Sequence, residues 1–224
     1  MSISIVMPVL NEANGIEAVL RPLQLLRGRG VELVVADGGS SDGTATLAAR
    51  WADTVLSTAR GRAGQMNAGA VRARGDLLLF LHADTLLPPD ADRLIHAAVE
   101  RGAAWGRFDV RISGRPWMLR VVARLINLRS RWSGIATGDQ AIFITRLLFE
   151  QLGGFADQPL MEDIELCRRL KLLGLRPACV AARATTSGRR WEQRGVWRTI
   201  VLMWWLRWRY WRGAAPSELA KTYR

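Results

Sequence analysis

Residues 31–44 read Val-Glu-Leu-Val-Val-Ala-Asp-Gly-Gly-Ser-Ser-Asp-Gly-Thr, an apolar run that ends in a polar, glycine-rich turn. The run from Val31 to Ala36 predicts a buried strand. Asp37 stands at the end of this strand, and residues 44–51 follow as a short predicted helix. A strand that leads directly into a helix is typical of the β-α-β units that build parallel sheets.

The same alternation of strand and helix runs through the first half of the chain. Further strands are predicted at 3–7, 54–57 and 76–81, and further helices at 12–26 and 63–73. Because the strands are apolar throughout, both faces of their sheet should be covered. We therefore predict an α/β fold of Rossmann-like type, with a mainly parallel sheet flanked by helices and ligands at the carboxyl ends of its strands.

The second half is less regular but continues as mixed α/β sequence. Helices are predicted at 89–101, 117–131, 149–152 and 161–173, and strands at 105–112, 141–145 and 176–182. The chain contains no convincing linker and no repeat. We expect one domain over residues 1–187 and an Arg- and Trp-rich, amphipathic helical extension over residues 188–224.

Composition excludes several classes of protein. With 49% hydrophobic and 23% charged residues, the chain is not disordered. Cys167 and Cys179 match no metal-binding spacing, which favours a reducing cytosol. Met1 leads directly into a strand, and no apolar run approaches the roughly 20 residues of a spanning helix. These features predict a cytoplasmic protein, and the net charge of +12 predicts an anionic partner.

Polar residues follow three of the predicted strands at the point where each strand ends. Asn11-Glu12 follows the first strand, Asp37-Gly38-Gly39 the second, and His82-Ala83-Asp84 the fourth. In a parallel sheet these ends meet at one edge. Asp37 should be free to accept a hydrogen bond from a base or a ribose hydroxyl, although a plain capped turn would give the same pattern.

Residues 60–69, Arg-Gly-Arg-Ala-Gly-Gln-Met-Asn-Ala-Gly, form a basic, glycine-punctuated loop that leads into a helix. Free amides at the start of a helix, with Arg62 beside them, suit a pyrophosphate. The Lys-Ser/Thr ending of a Walker A loop is absent.

Two further clusters carry carboxylates. Asp84 could hold a divalent cation whose other ligands are phosphate and water oxygens, with His82 as a ligand or a donor to the sugar nucleotide. The three acids Glu162, Asp163 and Glu165 at a helix start could supply a general base. The simpler alternatives are that Asp84 caps the next helix and that the acids at 162–165 serve the helix dipole.

Taken in order, Pro8–Glu12, Asp37–Thr44, His82–Asp84, Gly138–Gln140 and Glu162–Asp163 resemble the inverting family 2 glycosyltransferases of the GT-A fold. The resemblance covers residues 1–190. It implies transfer of a sugar from a nucleotide-sugar donor, most commonly a UDP-sugar, to a hydroxyl acceptor. The strand end Phe80–Thr85 is more narrowly similar to small bacterial transferases of arsenosugar biosynthesis.

The resemblance also assigns residues. It implies Asp84 as the ligand of Mn²⁺ or Mg²⁺ and Asp163 as the base, with Glu162 as the alternative. It places the donor beside Pro8, Leu10, Glu12, Asp37, Gly38, Arg62, Gly64, Asn67, His82 and Ala83, and the acceptor beside Asp139, Gln140, Arg190 and Trp191. The sequence departs from the family pattern at His82, where an Asp is usual. It also lacks the Gln before the Arg-Trp pair of processive relatives, so we do not infer a processive polymerase.

Two other functions stay open at this point. A nucleotidyltransferase would share the sheet, but it would need a glycine-rich basic loop after the first strand, where this chain has Leu10-Asn11-Glu12-Ala13. A non-catalytic scaffold at a membrane surface would not need the three carboxylates Asp37, Asp84 and Asp163.

The C-terminal extension has its own character. Between Arg189 and Arg212 there are seven arginines, one acid and six of the ten tryptophans. Arginine interleaved with tryptophan at helical spacing predicts an interfacial helix on an anionic membrane, a surface that the 117–131 helix could share. That would suit a lipid-linked acceptor at the inner face of the membrane. The alternatives are packing on its own domain or a homodimer; we expect no nucleic-acid partner.

Overall fold

The computed structural model describes residues 1–223. Within that range the strands are β1 Ile3–Val9, β2 Glu32–Asp37, β3 Thr54–Ser57, β4 Leu77–Phe80, β5 Thr85–Leu86, β6 Trp105–Ile112, β7 Ile142–Thr145 and β8 Ala178–Thr186. The helices are α1 Ile16–Arg27, α2 Thr44–Ala48, α3 Arg62–Arg72, α4 Ala91–Glu100, α5 Met118–Ser133, α6 Arg146–Gln151, α7 Glu162–Leu172, α8 Arg189–Arg194, α9 Val196–Trp211 and α10 Pro216–Tyr223. A single 3-10 turn spans Gly138–Gln140.

One sheet runs through the described chain in the order β3-β2-β1-β4-β7-β6-β8-β5. The first four strands of this order are parallel to one another. β7 runs antiparallel to both β4 and β6, and β5 runs antiparallel to β8. The predicted fold class, a mainly parallel sheet flanked by helices, is confirmed.

The central strand β1 is buried on both faces because helices cover it on each side. Ile5 and Met7 belong to the same core cluster as Leu20 of α1, whereas Val6 points the other way and packs with Met66 of α3. α3 comes unusually near to β1 at Gly69, where a Cβ would overlap Val6. This alternation is the period-two pattern expected of a strand between two layers.

The strand register brings three polar strand ends together. Val9 at the end of β1 pairs with Asp37 at the end of β2, and Val6 pairs with Phe80 at the end of β4. The chain segments that follow these strands therefore start from the same edge of the sheet, as predicted.

The second half departs from the sequence prediction at three places. β8 reaches Thr186 rather than 182, because its last residues pair with Ile112 of β6 and Thr85 of β5. β5 itself has only two residues, too few to give a sequence pattern. α6 begins at Arg146, three residues earlier than expected.

The C-terminal extension packs on the rest of the chain along one side. Leu206 of α9 and Leu219 of α10 are buried against Leu160 and Met161, which precede α7. No helix within residues 1–223 combines the length and apolar character needed to cross a bilayer. The boundary at residues 187 and 188 stays a prediction.

Candidate active site

Hydrogen bonds connect the loops that follow β1 and β2. The Asn11 backbone N–H donates to Ser40 Oγ (2.8 Å), and the Ser41 backbone N–H donates to Asn11 Oδ1 (2.9 Å). The Glu12 backbone N–H donates to Thr44 Oγ1 (2.8 Å). The hydroxyls of the glycine-rich turn thus fix the adjacent loop, which gives the rim of the cleft a defined shape.

The expectation that the Asp37 carboxylate is free was wrong. Asp37 is buried and accepts hydrogen bonds from the backbone N–H groups of Gly39 (3.2 Å) and Ser40 (3.0 Å), and also from the Ser40 hydroxyl. Gly39 has a φ of 86°, which lets the chain turn back onto the side chain of Asp37. Asp37 therefore holds its own loop in place.

Gln65, which was not among the predicted site residues, joins the ends of two strands. Its Nε2 donates to the carbonyls of Val9 and Ala36, each at 2.8 Å, inside the protein. A Cβ at Gly38 would come within 3.0 Å of the Gln65 side chain, so this predicted donor-site glycine is held in close contact with it. Only the position of Gln65 within the basic loop could have drawn attention to it.

The start of α3 lies at the same cleft. Gly61, with φ 147°, precedes the helix, and no side chain caps the first turn, which contains Arg62 and the exposed Gly64. The Arg62 guanidinium lies 3.5 Å from Glu162 Oε1. The open amides and this arginine keep the features that suit a pyrophosphate.

The side-chain amide of Asn67 binds the backbone of Phe155. Its Nδ2 donates to the Phe155 carbonyl (2.8 Å), and its Oδ1 accepts from the Phe155 backbone N–H (2.9 Å). The amide is committed on both sides to the loop that leads towards α7. Contact between Asn67 and a nucleotide stays a prediction.

Asp84 is exposed just beyond β4. Its carboxylate accepts one long hydrogen bond, from Thr85 Oγ1 at 3.3 Å, and its backbone carbonyl accepts from the Ser187 N–H. The negative charge of Asp84 also reaches Glu12: burial is the main cause that raises the pKa of Glu12, Arg189 opposes it, and Asp84 adds to it. Carboxylates thus face one another across this part of the cleft.

Whether Asp84 fits a divalent cation depends on what completes the coordination. Among residues 1–223 there is no cluster of three or more His, Cys, Asp or Glu side chains placed to hold a metal. Mg²⁺ and Mn²⁺ often bind through one or two carboxylates and take their remaining ligands from water and substrate phosphates. An exposed carboxylate with free lone pairs fits a site of that kind.

The His82 ring lies between Asp139 and the 3-10 turn. Its Nδ1 lies 3.3 Å from Asp139 Oδ1, and the other side of its ring rests on Gly138, where a Cβ would overlap the ring. The roles predicted for His82, as a metal ligand or a contact to the sugar nucleotide, stay predictions. Because the imidazole occupies the place where Gly138 has only hydrogen, it packs against the 3-10 turn.

Asp163 lies at the first turn of α7 and is held by two backbone donors. Gly138 N–H donates to Oδ2 (2.8 Å), and the Ile164 N–H donates to Oδ1 (2.7 Å). Burial and the charge of Glu162 raise the pKa of Asp163 to about 6, against the lowering effect of these hydrogen bonds and of Arg62. A carboxylate with a pKa near neutrality has the property of a general base. Glu162 is itself buried and faces Arg62.

The predicted acceptor side divides into two groups. Asp139 is half exposed beside His82; burial alone would raise its pKa, but the hydrogen bond with His82 and the charges of Arg62 and Arg190 lower it. The guanidinium of Arg190 stacks on the Tyr223 ring at 4.3 Å and acts electrostatically on Asp84 and Asp139. These side chains do meet at the cleft.

The other two acceptor-side residues face inwards. Gln140 is fully buried: its Oε1 accepts from the Thr137 N–H, and its Nε2 reaches Asn127 of α5. Trp191 is half-buried against the cluster formed by α5 and β6. Both ends of the Gln140 amide thus hold the 3-10 turn in place, and its role beside the acceptor stays a prediction.

Three predicted donor residues are held mainly by packing. Pro8 is buried within β1, Leu10 is half-buried just after it, and Ala83 is buried in the main core. Their side chains have no polar group, so any contact with a nucleotide would come from the apolar surface or the backbone.

Strained backbone marks the same cleft. Among the described non-glycine residues, three have a positive φ: Asn11 (54°), Ala141 (48°) and Met161 (68°). Asn11 precedes Glu12, Ala141 follows the 3-10 turn, and Met161 precedes Glu162. Such strain is costly and clusters at functional sites, and no sequence pattern had indicated it.

The comparison with protein families agrees with this geometry. The model of glycosyl transferase family 2 matches residues 4–152. Undecaprenyl-phosphate 4-deoxy-4-formamido-L-arabinose transferase of Pseudomonas aeruginosa (strain LESB58) is 31% identical over 150 residues, covering 61% of this chain and 44% of the relative. The Yersinia pestis protein of that name is 32% identical over 152 residues. This chain thus spans less than half the length of these curated relatives.

Solved structures share the fold. S. aureus TarS 1–349 in complex with UDP superposes with a TM-score of 0.69 at 18% identity, over 84% of this chain and 60% of that one. The mannosyltransferase PcManGT from Pyrobaculum calidifontis, in complex with GDP-Man and Mn²⁺, gives 0.64 at 22% identity over 82% and 56%. Glucosyl-3-phosphoglycerate synthase from Mycobacterium tuberculosis, with Mn²⁺, UDP and glucosyl-3-phosphoglycerate, gives 0.62 at 22% identity over 83% and 71%. With the family match over most of its length, the chain belongs to glycosyl transferase family 2.

Proposed function

We propose that the protein transfers a sugar, with inversion, from a UDP-sugar to a hydroxyl acceptor, using Asp163 as the general base and a divalent cation at Asp84. The observation that carries this proposal is the setting of Asp163. Its carboxylate is held by two backbone N–H groups and has a pKa of about 6, at the cleft that also receives Asp84, Arg62 and Arg190. Family membership sets aside the nucleotidyltransferase alternative.

In this mechanism Asp163 accepts the proton of the acceptor hydroxyl while that oxygen attacks the anomeric carbon from the face opposite the leaving nucleotide. A single displacement of this kind inverts the centre without a covalent intermediate. The two N–H donors stabilise the ionised form of Asp163, so the base is ready at neutral pH although it is largely buried.

The diphosphate is best placed at the start of α3. The uncapped amides there and the Arg62 guanidinium would stabilise the charge that develops on the leaving group, and Arg190 adds a second positive charge. When bound at Asp84, Mn²⁺ or Mg²⁺ would neutralise part of the same charge. Mn²⁺ in the P. calidifontis and M. tuberculosis structures supports this choice of cation.

The nucleoside would lie along the ends of β1 and β2, near Pro8, Leu10, Glu12 and the backbone of Gly38. Because the Asp37 carboxylate accepts hydrogen bonds from its own loop, we propose that Asp37 fixes the shape of this loop rather than contacting the nucleoside directly. UDP is the first choice of donor since it is the nucleotide of the TarS and glucosyl-3-phosphoglycerate synthase structures; GDP-Man in PcManGT keeps a guanosine donor as the competitor.

For the acceptor we propose a lipid-linked molecule. The protein would bind it as a peripheral enzyme at the inner face of the membrane. The support is the name of the P. aeruginosa and Y. pestis relatives, which act with undecaprenyl phosphate. If this chain used such a phosphate directly, the attacking oxygen would already be ionised, and a base would not be required. The link to arsenosugar biosynthesis stays a prediction from Phe80–Thr85.

Thermal-shift measurements with UDP-, GDP- and TDP-sugars test the proposal first, with Mn²⁺ or Mg²⁺ present or chelated. Only ligands that bind the folded state raise the melting temperature. We expect a UDP-sugar to do so, and to do so more strongly with the cation. If no nucleotide sugar changes the melting temperature, the proposed donor site is wrong.

A further inference from the structure

The tryptophans of this chain are distributed unevenly over its surface. Seven of the ten are exposed: Trp117, Trp132, Trp197, Trp204, Trp205, Trp208 and Trp211. All seven lie on α9 or on α5 and the residue that precedes it. Exposed tryptophan is costly in water unless the surface meets a partner, so this concentration indicates an interaction surface.

Each of the two helices presents one apolar stripe to the outside. The exposed apolar residues recur at intervals of three and four, which places them on one helical face. On α9 they are Trp197, Val201, Trp204, Trp208 and Trp211, and along α5 they are Trp117, Val121, Leu125, Leu128 and Trp132.

The two helices share part of one core cluster. Leu119 and Val122 of α5 are buried with Val110 of β6, and Val196 and Ile200 of α9 pack against the same cluster. The inner faces of both helices are therefore committed to the protein, and their apolar stripes are exposed. We call this outer surface, formed by α5 and α9, the tryptophan platform.

The positive charge of the platform favours an anionic partner. The segments Met118–Ser133 and Val196–Trp211 contain seven arginines and no acidic residue. Three of these arginines, Arg120, Arg124 and Arg198, are exposed and make no ion pair with an acid within residues 1–223. The surface therefore combines indole rings with uncompensated positive charge.

We propose that the tryptophan platform docks on the surface of an anionic lipid bilayer. Indole rings favour the boundary between headgroups and acyl chains, and the surrounding guanidinium groups attract anionic headgroups. Each basic residue near such a surface adds to the binding, and the attraction falls off within a Debye length. The helices would lie on the bilayer.

A second copy of the chain fits this surface less well. In a twofold dimer the same patch meets itself, so the exposed Arg120, Arg124 and Arg198 would face their own copies, and neither helix carries an acid to neutralise them. A bilayer that contains phosphatidylglycerol supplies the opposite charge. Charge complementarity therefore favours the lipid.

The inference rests on the proposed function in one respect: a lipid-linked acceptor would give the protein a reason to bind a bilayer. It is tested by flotation of the whole protein with vesicles of phosphatidylcholine alone or with about one third phosphatidylglycerol. We expect binding to the anionic vesicles at low salt, weakened by high salt. Exchanging Arg120, Arg124 and Arg198 for Glu together should lower the partition coefficient at least about 100-fold.

Matched variants separate docking from folding. Arg50, Arg72 and Arg101 are exposed arginines elsewhere, so their joint exchange for Glu alters the net charge equally but should leave most of the binding. Likewise Trp204→Ser, Trp208→Ser and Trp211→Ser together should abolish docking. The controls for that set are the serine variants of three exposed apolar residues on α3, α6 and α7, namely Val71, Leu147 and Leu172.

Three results would overturn the proposal: no flotation of the wild type with anionic vesicles at low salt, equal losses in the variants and their controls, or light scattering that reveals a dimer broken by the tryptophan variants without any vesicle binding. The thermal shift with nucleotide sugars is measured on the same samples. Nucleotide binding without flotation refutes only the platform, and flotation without nucleotide binding refutes only the proposed donor site.

Discussion

The backbone N–H of Gly138 donates a 2.8 Å hydrogen bond to Oδ2 of Asp163, so two segments 25 residues apart in sequence meet at the proposed base. The ring of His82 rests on the same glycine from the other side. Gly138 thus links the end of β4 to the start of α7. The position of the base depends on a glycine that itself carries no chemistry.

The first prediction concerns this glycine. Gly138→Ala places a Cβ into the imidazole of His82, so the ring or the 3-10 turn must shift, and a shift of the turn weakens the hydrogen bond from its N–H to Asp163. We expect kcat to fall at least about tenfold, since a lost hydrogen bond to a charged group costs about 1.5–3 kcal/mol, while donor affinity changes little. Gly15→Ala is the control, because a Cβ there meets nothing within 4 Å. Unchanged turnover in Gly138→Ala would show that the turn does not position the base.

The second prediction tests the base directly. Asp163→Asn keeps the size of the side chain but removes its ability to take a proton, so transfer should fall at least about 100-fold, within the usual contribution of a general base. Nucleotide binding, measured by thermal shift, should remain. Asp157→Asn makes the same change at an exposed position in the loop before α7 and should leave transfer intact. If Asp163→Asn keeps wild-type turnover, the assignment of the base is wrong.

The pH dependence of turnover follows from the same group. With a hydroxyl acceptor, Asp163 must be ionised, so kcat/KM should rise with pH through about 6 and then level off. A phosphate acceptor has a second ionisation of its own at about pH 6, so the test uses a hydroxyl acceptor. A profile of kcat/KM against pH between 5 and 8 checks the prediction, and a flat profile would contradict Asp163 as the base.

Stability should show the opposite trend. The pKa of Asp163 is raised in the folded protein from 3.8 to about 6, so the folded state binds this proton more tightly than the unfolded state. The stabilising contribution is complete below pH 3.8 and is lost as the pH rises through 6. The melting temperature of the wild type should therefore fall relative to that of Asp163→Asn between pH 5 and pH 7. A difference that stays constant over this range would contradict the raised pKa.

Sequence reasoning located the parallel half of the fold well because burial on two faces leaves a strong signal. Val31–Ala36 is apolar without interruption, and its helix follows at once, so the strand, the crossover and the polar strand end could all be predicted. β5 and the end of β8 could not, because Thr85–Leu86 and Thr185–Thr186 become strand only through pairing with each other. Tertiary contact, rather than local preference, creates them.

For the site, sequence reasoning found the residue types but not always the partners. Asp163 and Arg62 lie at one cleft as expected. In contrast, the polar side-chain atoms of Asp37, Asn67 and Gln140 form hydrogen bonds within the protein. A polar side chain in a loop looks the same in sequence whether it awaits a ligand or satisfies a buried backbone group. Only the count of its hydrogen bonds separates the two cases.

Asn67 provides a test of that distinction. Asn67→Ala leaves the N–H and the carbonyl of Phe155 without their partners, which should cost about 1–3 kcal/mol of unfolding free energy. Because Phe155 lies in the loop before α7, kcat should fall more than the affinity for the donor. The exposed Asn14→Ala is the control. A large rise in KM for the donor, with normal stability, would restore Asn67 to the nucleotide site.

The last prediction concerns the cation. Asp84→Asn keeps the shape of the side chain and removes its negative charge, and among residues 1–223 that carboxylate accepts one hydrogen bond, from Thr85 at 3.3 Å. Folding should therefore be nearly unaffected. Wild-type protein should bind a UDP-sugar more tightly when Mn²⁺ is added, and Asp84→Asn should lose most of that increase while it keeps the weaker binding seen without metal. Asp90→Asn, an exposed neighbour beyond β5, should behave as the wild type. Calorimetric titration with and without Mn²⁺ measures both affinities. An equal effect of Mn²⁺ on wild type and Asp84→Asn would place the cation elsewhere, since removing its only proposed carboxylate ligand must weaken a site that takes its other ligands from phosphate and water.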